Sequence, residues 1–159
     1  MTGRPEVRDA SAGPAQIRLE VDVAAPVERT WAAVTDWDRQ HEWMLGTTAT
    51  GDHRVGGELR ARTGVGPLGF VDRMEITGWD PPRGAYVRHL GRVVRSTAAF
   101  EVRERPGGST FVWTEDLDLP LGAAGRLGFR LLRPLFVAGL RLSLRRFAAW
   151  VPGSVGPVD

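Results

Sequence analysis

The sequence predicts an α+β protein: an antiparallel sheet of about seven strands, a long C-terminal helix, and two short helices after the first strand. Three observations carry this expectation. Residues 16–23 alternate polar and apolar. Residues 45–118 hold six strand-like segments separated by Gly and Pro breaks. Residues 123–151 repeat apolar side chains at steps of three and four.

Residues 1–15 are rich in Gly, Pro, Ser and charge and read as a flexible N-terminal tail. Gln16–Val23 has the period of two of a half-buried strand. Pro26 then suits the first turn of a helix, where a missing N–H costs nothing, and Glu28 sits at the positive end of its dipole. A helix is expected over 26–35, and a second from Asp36 to about Met44, capped by Thr35 or Asp36. Strands follow near 45–53, 57–64, 68–78, 84–92, 93–104 and 109–118. The short breaks between them allow only antiparallel pairing, because a parallel crossover needs a dozen or more residues. In the last helix Phe129, Leu132, Phe136, Leu140, Leu144, Phe147 and Val151 make one apolar face. Pro134 is expected to kink or interrupt it, and Pro152 and Gly153 to end it, leaving 152–159 as a C-terminal tail.

Length and composition fit one domain over 16–151 in a chain of 159 residues. Every one of the 21 basic residues is Arg, so the pI is near 10.2 although the net charge is only +2. That charge is too small for a strong field and argues against nucleic acid as a partner. Cys is absent, which excludes disulfides, thiolate catalysis and cysteine metal sites. Neither a signal-peptide core nor an uninterrupted run of about 18 apolar residues is visible, so no transmembrane segment and a cytoplasmic location are expected.

The segment Ala25-Pro26-Val27-Glu28-Arg29-Thr30-Trp31 followed by Asp36 resembles the opening motif of the START-like, or SRPBCC, superfamily of polyketide cyclases/dehydrases and lipid-transport proteins. Trp43, the Gly56-Gly57 turn and Gly78-Trp79-Asp80-Pro81-Pro82 are similar to that family as well, and the order of elements over 16–151 agrees. The resemblance implies the helix-grip fold, a curved sheet wrapped on the C-terminal helix around a cavity for lipids, polyketides, hormones or aromatic compounds. It does not imply one activity.

Alternation along the strands puts Phe70, Asp72, Met74 and Ile76 on one face, His89 on the face of Val87, and Glu115 among Phe111, Trp113 and Leu117. Asp72, His89 and Glu115 are therefore candidate catalytic residues on the concave side. Two readings stand: an acid/base set for cyclisation, dehydration or hydrolysis, or an internal ion-pair cluster with Arg88, Arg95 or Arg103, the commoner outcome for such groups. Trp43, Phe70, Met74, Trp113, Phe136 and Leu140 are candidate pocket walls, with plain core as the alternative. Gly64–Gly69 lacks phosphate-loop spacing and reads as a hairpin turn. His41, Glu42 and His53 do not have metal-ligand spacing. Arg83, Arg88, Arg92, Arg95, Arg103 and Arg105 alternate over both strand faces among acids and read as solvated.

The leading expectation is a binder or carrier of a hydrophobic small molecule, with no metal or organic cofactor, acting as a monomer or homodimer. The alternative is a cyclase/dehydrase-type enzyme with Asp72, His89 or Glu115 handling protons. A third is a regulatory module whose partner protein does the chemistry.

Overall fold

The structure, a computed structural model, describes residues 4–91 and 95–154. The parts of the expected strands and tails that fall on 1–3, 92–94 and 155–159 lie outside the described residues.

Eight strands form one antiparallel sheet: β1 (Val7–Asp9), β2 (Gln16–Val23), β3 (Thr47–Gly51), β4 (Glu58–Val65), β5 (Leu68–Asp80), β6 (Gly84–His89), β7 (Arg95–Arg105) and β8 (Gly108–Asp118). Their order across the sheet is β1-β2-β8-β7-β6-β5-β4-β3. β3 to β8 form a meander in which each strand pairs with the next, and β2 docks beside β8. The chain crosses from β2 to the far edge through α1 (Val27–Val34) and a short 3-10 helix, Trp37–Glu42. The latter is the second short helix expected from Asp36 to about Met44, and it ends two residues earlier, with no side-chain hydrogen bond from Asp36 capping it.

The extra strand is β1, in a segment expected as a loose tail. Its register pairs Val7 with Val21 and Asp9 with Leu19. Val7 is buried in the core, and the Arg8 guanidinium donates to both Asp22 carboxylate oxygens at 2.9 and 3.0 Å. Three residues are too few for an alternation pattern to show in sequence.

The inner face of β2 consists of Ile17, Leu19, Val21 and Val23, all fully buried. Each such side chain contributes about 1.5–3 kcal/mol relative to exposure. The helix α2 (Gly122–Ser154) covers them with Leu140, Leu144, Phe147 and Val151. Trp43 belongs to this core, its ring 4.9 Å from Phe147 and 6.4 Å from Trp113. A smaller cluster of Trp37, Ala49, Leu59, Met74 and Ile76 lies on the β3–β5 side of the sheet.

α2 runs unbroken through Pro134, and past Pro152 to Ser154. Pro134 withdraws only the bond to the Arg130 carbonyl, and both residues are exposed, so water can take that acceptor. The C-terminal half of α2 is held by Glu42, which accepts from Trp150 Nε1 at 2.8 Å while its carbonyl accepts from Arg146 at 3.2 Å. The N-terminal half is different: between Gly122 and Phe136 only Gly125, Phe129 and Arg133 are more than marginally covered.

The outer face of the sheet is laced by arginine–carboxylate pairs. Arg88 pairs with Glu75 at 2.5 Å, Arg103 with Glu101 at 3.5 Å and Arg105 with Asp22 at 3.7 Å. These three arginines are neutralised locally.

Candidate functional site

β5 and β6 pair so that Met74 stands opposite His89. Asp72, two residues back on β5, is then the diagonal neighbour of His89 on the same face. The His89 imidazole Nδ1 and the Asp72 Oδ2 are 2.5 Å apart. Glu115 reaches the site from two strands away. It lies opposite Ala98 on β7, which lies opposite Val87 on β6. The small side chains Ser96 and Ala98 leave the lane across β7 open, and Glu115 Oε2 comes to 3.6 Å from His89 Nε2. That is a charge contact rather than a hydrogen bond, and Nε2 has no hydrogen-bond partner.

All three side chains are largely covered, His89 at 8% exposure, Asp72 at 14% and Glu115 at 11%. Burial alone would hold the imidazole neutral. The Asp72 hydrogen bond and the nearby Glu115 carboxylate outweigh it, and the His89 pKa is pushed up to about 9. At neutral pH the ring is therefore an imidazolium between two carboxylates, both nitrogens carrying protons. Glu115 is fixed on its other side: Trp113 Nε1 donates to Oε1 at 3.0 Å, and the Ser96 hydroxyl lies 3.5 Å from Oε2. Such a group holds a proton under cover between two acidic side chains, with Nε2 buried and without a hydrogen-bond partner.

Arg88 and Arg103 point to the outer face and take other partners. Ser96 was not among the residues singled out from sequence. Its signal is parity, because it shares the inner face of β7 with Ala98, Phe100 and Val102.

The six candidate wall residues divide. Trp43, Met74, Trp113 and Leu140 are buried, and they pack in the two cores. Phe70 and Phe136 stay about half exposed. Phe70 lies on the inner-face parity of β5 next to Asp72, and Leu132, on the inward line of α2 one turn from Phe136, is exposed too. Apolar side chains thus remain uncovered both on β5 and on the N-terminal half of α2. A separate groove of about 940 Å³ lies where the turn Ala24–Glu28 meets Asp80, Arg83, Tyr86, Glu101 and Arg103. Its lining is strongly charged. Among the described residues no group of three or more His, Asp and Glu side chains is placed to hold a metal ion.

A single antiparallel sheet packed against one long C-terminal helix defines the helix-grip class. The chain belongs to the family described as polyketide cyclase / dehydrase and lipid transport, which it matches over residues 14–151. Solved structures share the fold. Protein Ms6760 from Mycobacterium smegmatis is 20% identical, with a TM-score of 0.68 and coverage of 94% of this chain and 98% of that one. NE0264 from Nitrosomonas europaea is 14% identical, with a TM-score of 0.71 over 88% of this chain and 96% of the other. The di-domain ARO/CYC StfQ from the steffimycin biosynthetic pathway is 16% identical, with a TM-score of 0.68 over 87% of this chain and 50% of its own length. At these identities the likeness is one of fold. No curated protein matches the sequence.

Proposed function

We propose that the protein binds a hydrophobic small molecule, a lipid, polyketide or aromatic compound, between the inner face of the sheet and the N-terminal half of α2. The observation that carries this reading is the pair of uncovered apolar surfaces, Phe70 beside Asp72 on β5 and Leu132 with Phe136 on the inward line of α2, together with the covered polar trio on the sheet. A pocket for such ligands needs a mostly apolar lining and a few orienting polar groups. Family membership supports the same reading. Native mass spectrometry of freshly purified protein, followed by denaturing extraction, tests it. A retained apolar molecule supports the proposal, and an empty protein that also fails to take up an apolar fluorescent probe refutes it.

The trio gives one specific observation in favour of a second reading, a cofactor-free cyclase or dehydratase. The His89 imidazolium would protonate a carbonyl or leaving oxygen of the ligand, and Asp72 or Glu115 would hold the ring in place or accept the proton afterwards. In that case His89→Ala and Asp72→Asn abolish turnover of the extracted molecule. Unchanged turnover in both variants rules the reading out.

A further inference from the structure

α2 carries a second apolar stripe that neither the core nor the proposed ligand site uses. Leu127, Leu131, Leu135 and Leu142 fall at steps of four, four and seven, on the side of the helix opposite Phe129, Leu140 and Phe147. They are 60%, 73%, 75% and 41% exposed, and nothing among the described residues covers them. A row of four outward leucines on one helix is an unusual surface for a free-standing monomer.

The charge on this helix selects the occupant. α2 contains Arg126, Arg130, Arg133, Arg141, Arg145 and Arg146 and no acidic residue. Arg133 and Arg141 face Asp9 at 4.0 and 3.7 Å. Arg126 and Arg130 are exposed and pair with no carboxylate among the described residues. Each precedes a stripe leucine by one residue, about 100° around the helix, so the free cations border the apolar row. A second copy docking through the same stripe would bring arginines against arginines with no acid on either helix to pair them. An anionic lipid surface accepts both parts at once, the leucines in its acyl boundary and the guanidinium groups among its phosphates. No helix of the described residues is long and apolar enough to cross a membrane, so the contact is one of lying on the surface.

We infer that the outward stripe of α2, Leu127, Leu131, Leu135 and Leu142 with Arg126 and Arg130, is a docking surface for anionic membranes. The inference stands independently of the ligand reading, since an empty protein docks equally well.

The full chain is mixed with vesicles of phosphatidylcholine alone, or of equal parts phosphatidylcholine and phosphatidylglycerol, and sedimented. Binding to the anionic vesicles, weakened by raising the salt, is expected. The double variant Leu131→Ser/Leu135→Ser should bind roughly tenfold more weakly, with a thermal melt matching the parent because both side chains are exposed. Arg126→Gln/Arg130→Gln probes the electrostatic part separately and should also weaken binding to anionic vesicles. Equal binding to neutral and anionic vesicles, or binding that neither variant changes, overturns the inference. So does a wild-type dimer that Leu131→Ser/Leu135→Ser converts to monomer, which would assign the stripe to a second copy.

Discussion

The His89 ring nitrogen Nδ1 meets the Asp72 carboxylate at 2.5 Å across the β5–β6 pair, under cover from solvent. This contact makes stability depend on pH on the alkaline side. The folded-state pKa of His89, about 9, lies above its ordinary value of 6.5. The stabilisation is therefore complete below pH 6.5 and is lost as the pH rises through 9. The melting temperature should fall by about 5 °C between those limits. In His89→Gln that part of the pH dependence should disappear; an unchanged slope would place its origin elsewhere.

Asp72→Asn removes the stronger of the two carboxylate partners while keeping the shape. The imidazole pKa should move down from about 9 toward its ordinary value, followed by the ring carbon protons in NMR titration. Glu115→Gln should move it in the same direction by less, because Glu115 stands 3.6 Å away.

The two sides of α2 should respond very unequally to truncation. Leu144 is fully buried against the sheet, and Leu144→Ala should destabilise by about 2–5 kcal/mol in chemical denaturation. Leu131, 73% exposed, should change stability by no more than about 0.5 kcal/mol on the same substitution.

Ser109 joins α1 to the sheet through a buried hydroxyl. Its Oγ donates to the Ala25 carbonyl at 2.9 Å and lies 2.7 Å from Thr30 Oγ1. Ser109→Ala leaves both oxygens short of a partner and should lower stability by about 1–3 kcal/mol. A denaturation midpoint equal to that of the parent would show that water replaces the hydroxyl.

Gly108 has no room for a side chain. A Cβ there would lie 2.2 Å from the Val23 carbonyl oxygen, a backbone atom held by the β2–β8 ladder. Gly108→Ala should destabilise by more than about 2 kcal/mol, and its melting curve is the check.

The order of elements was legible because strands and helix impose different periods. Gln16–Val23 and the Phe129–Val151 stripe state their structure in their own spacing. β1 was not legible, since Val7–Asp9 is a strand only through Val21 and Arg8–Asp22, contacts made after the chain turns back. Pro134 is expected to kink or interrupt the helix because propensity ignores solvation, whereas α2 is unbroken there and both Arg130 and Pro134 are exposed. For the candidate site, alternation gives the face on which Asp72, His89 and Glu115 lie. It cannot give their separation, which depends on β7 lying between β6 and β8 and on the small size of Ser96 and Ala98. Nor does spacing reveal that Leu132 and Phe136 stay uncovered while Leu140, on the same stripe, is buried.

Between Ile76 and Trp79 the pairing with β6 slips: Ile76 faces Val87, yet Gly78 faces Tyr86, so Thr77 is an extra residue in β5. Even-numbered Asp72 and Met74 and odd-numbered Trp79 consequently share one face, and Trp79 closes against Trp31 at 5.1 Å. Thr77 acts as a phase shifter that couples two ends of one strand. Deleting it would keep the hairpin's length nearly intact while forcing a choice between the tryptophan end and the histidine end. A change at one residue that itself carries no ionisable group would thus decide whether the carboxylate of Asp72 meets His89 or the solvent.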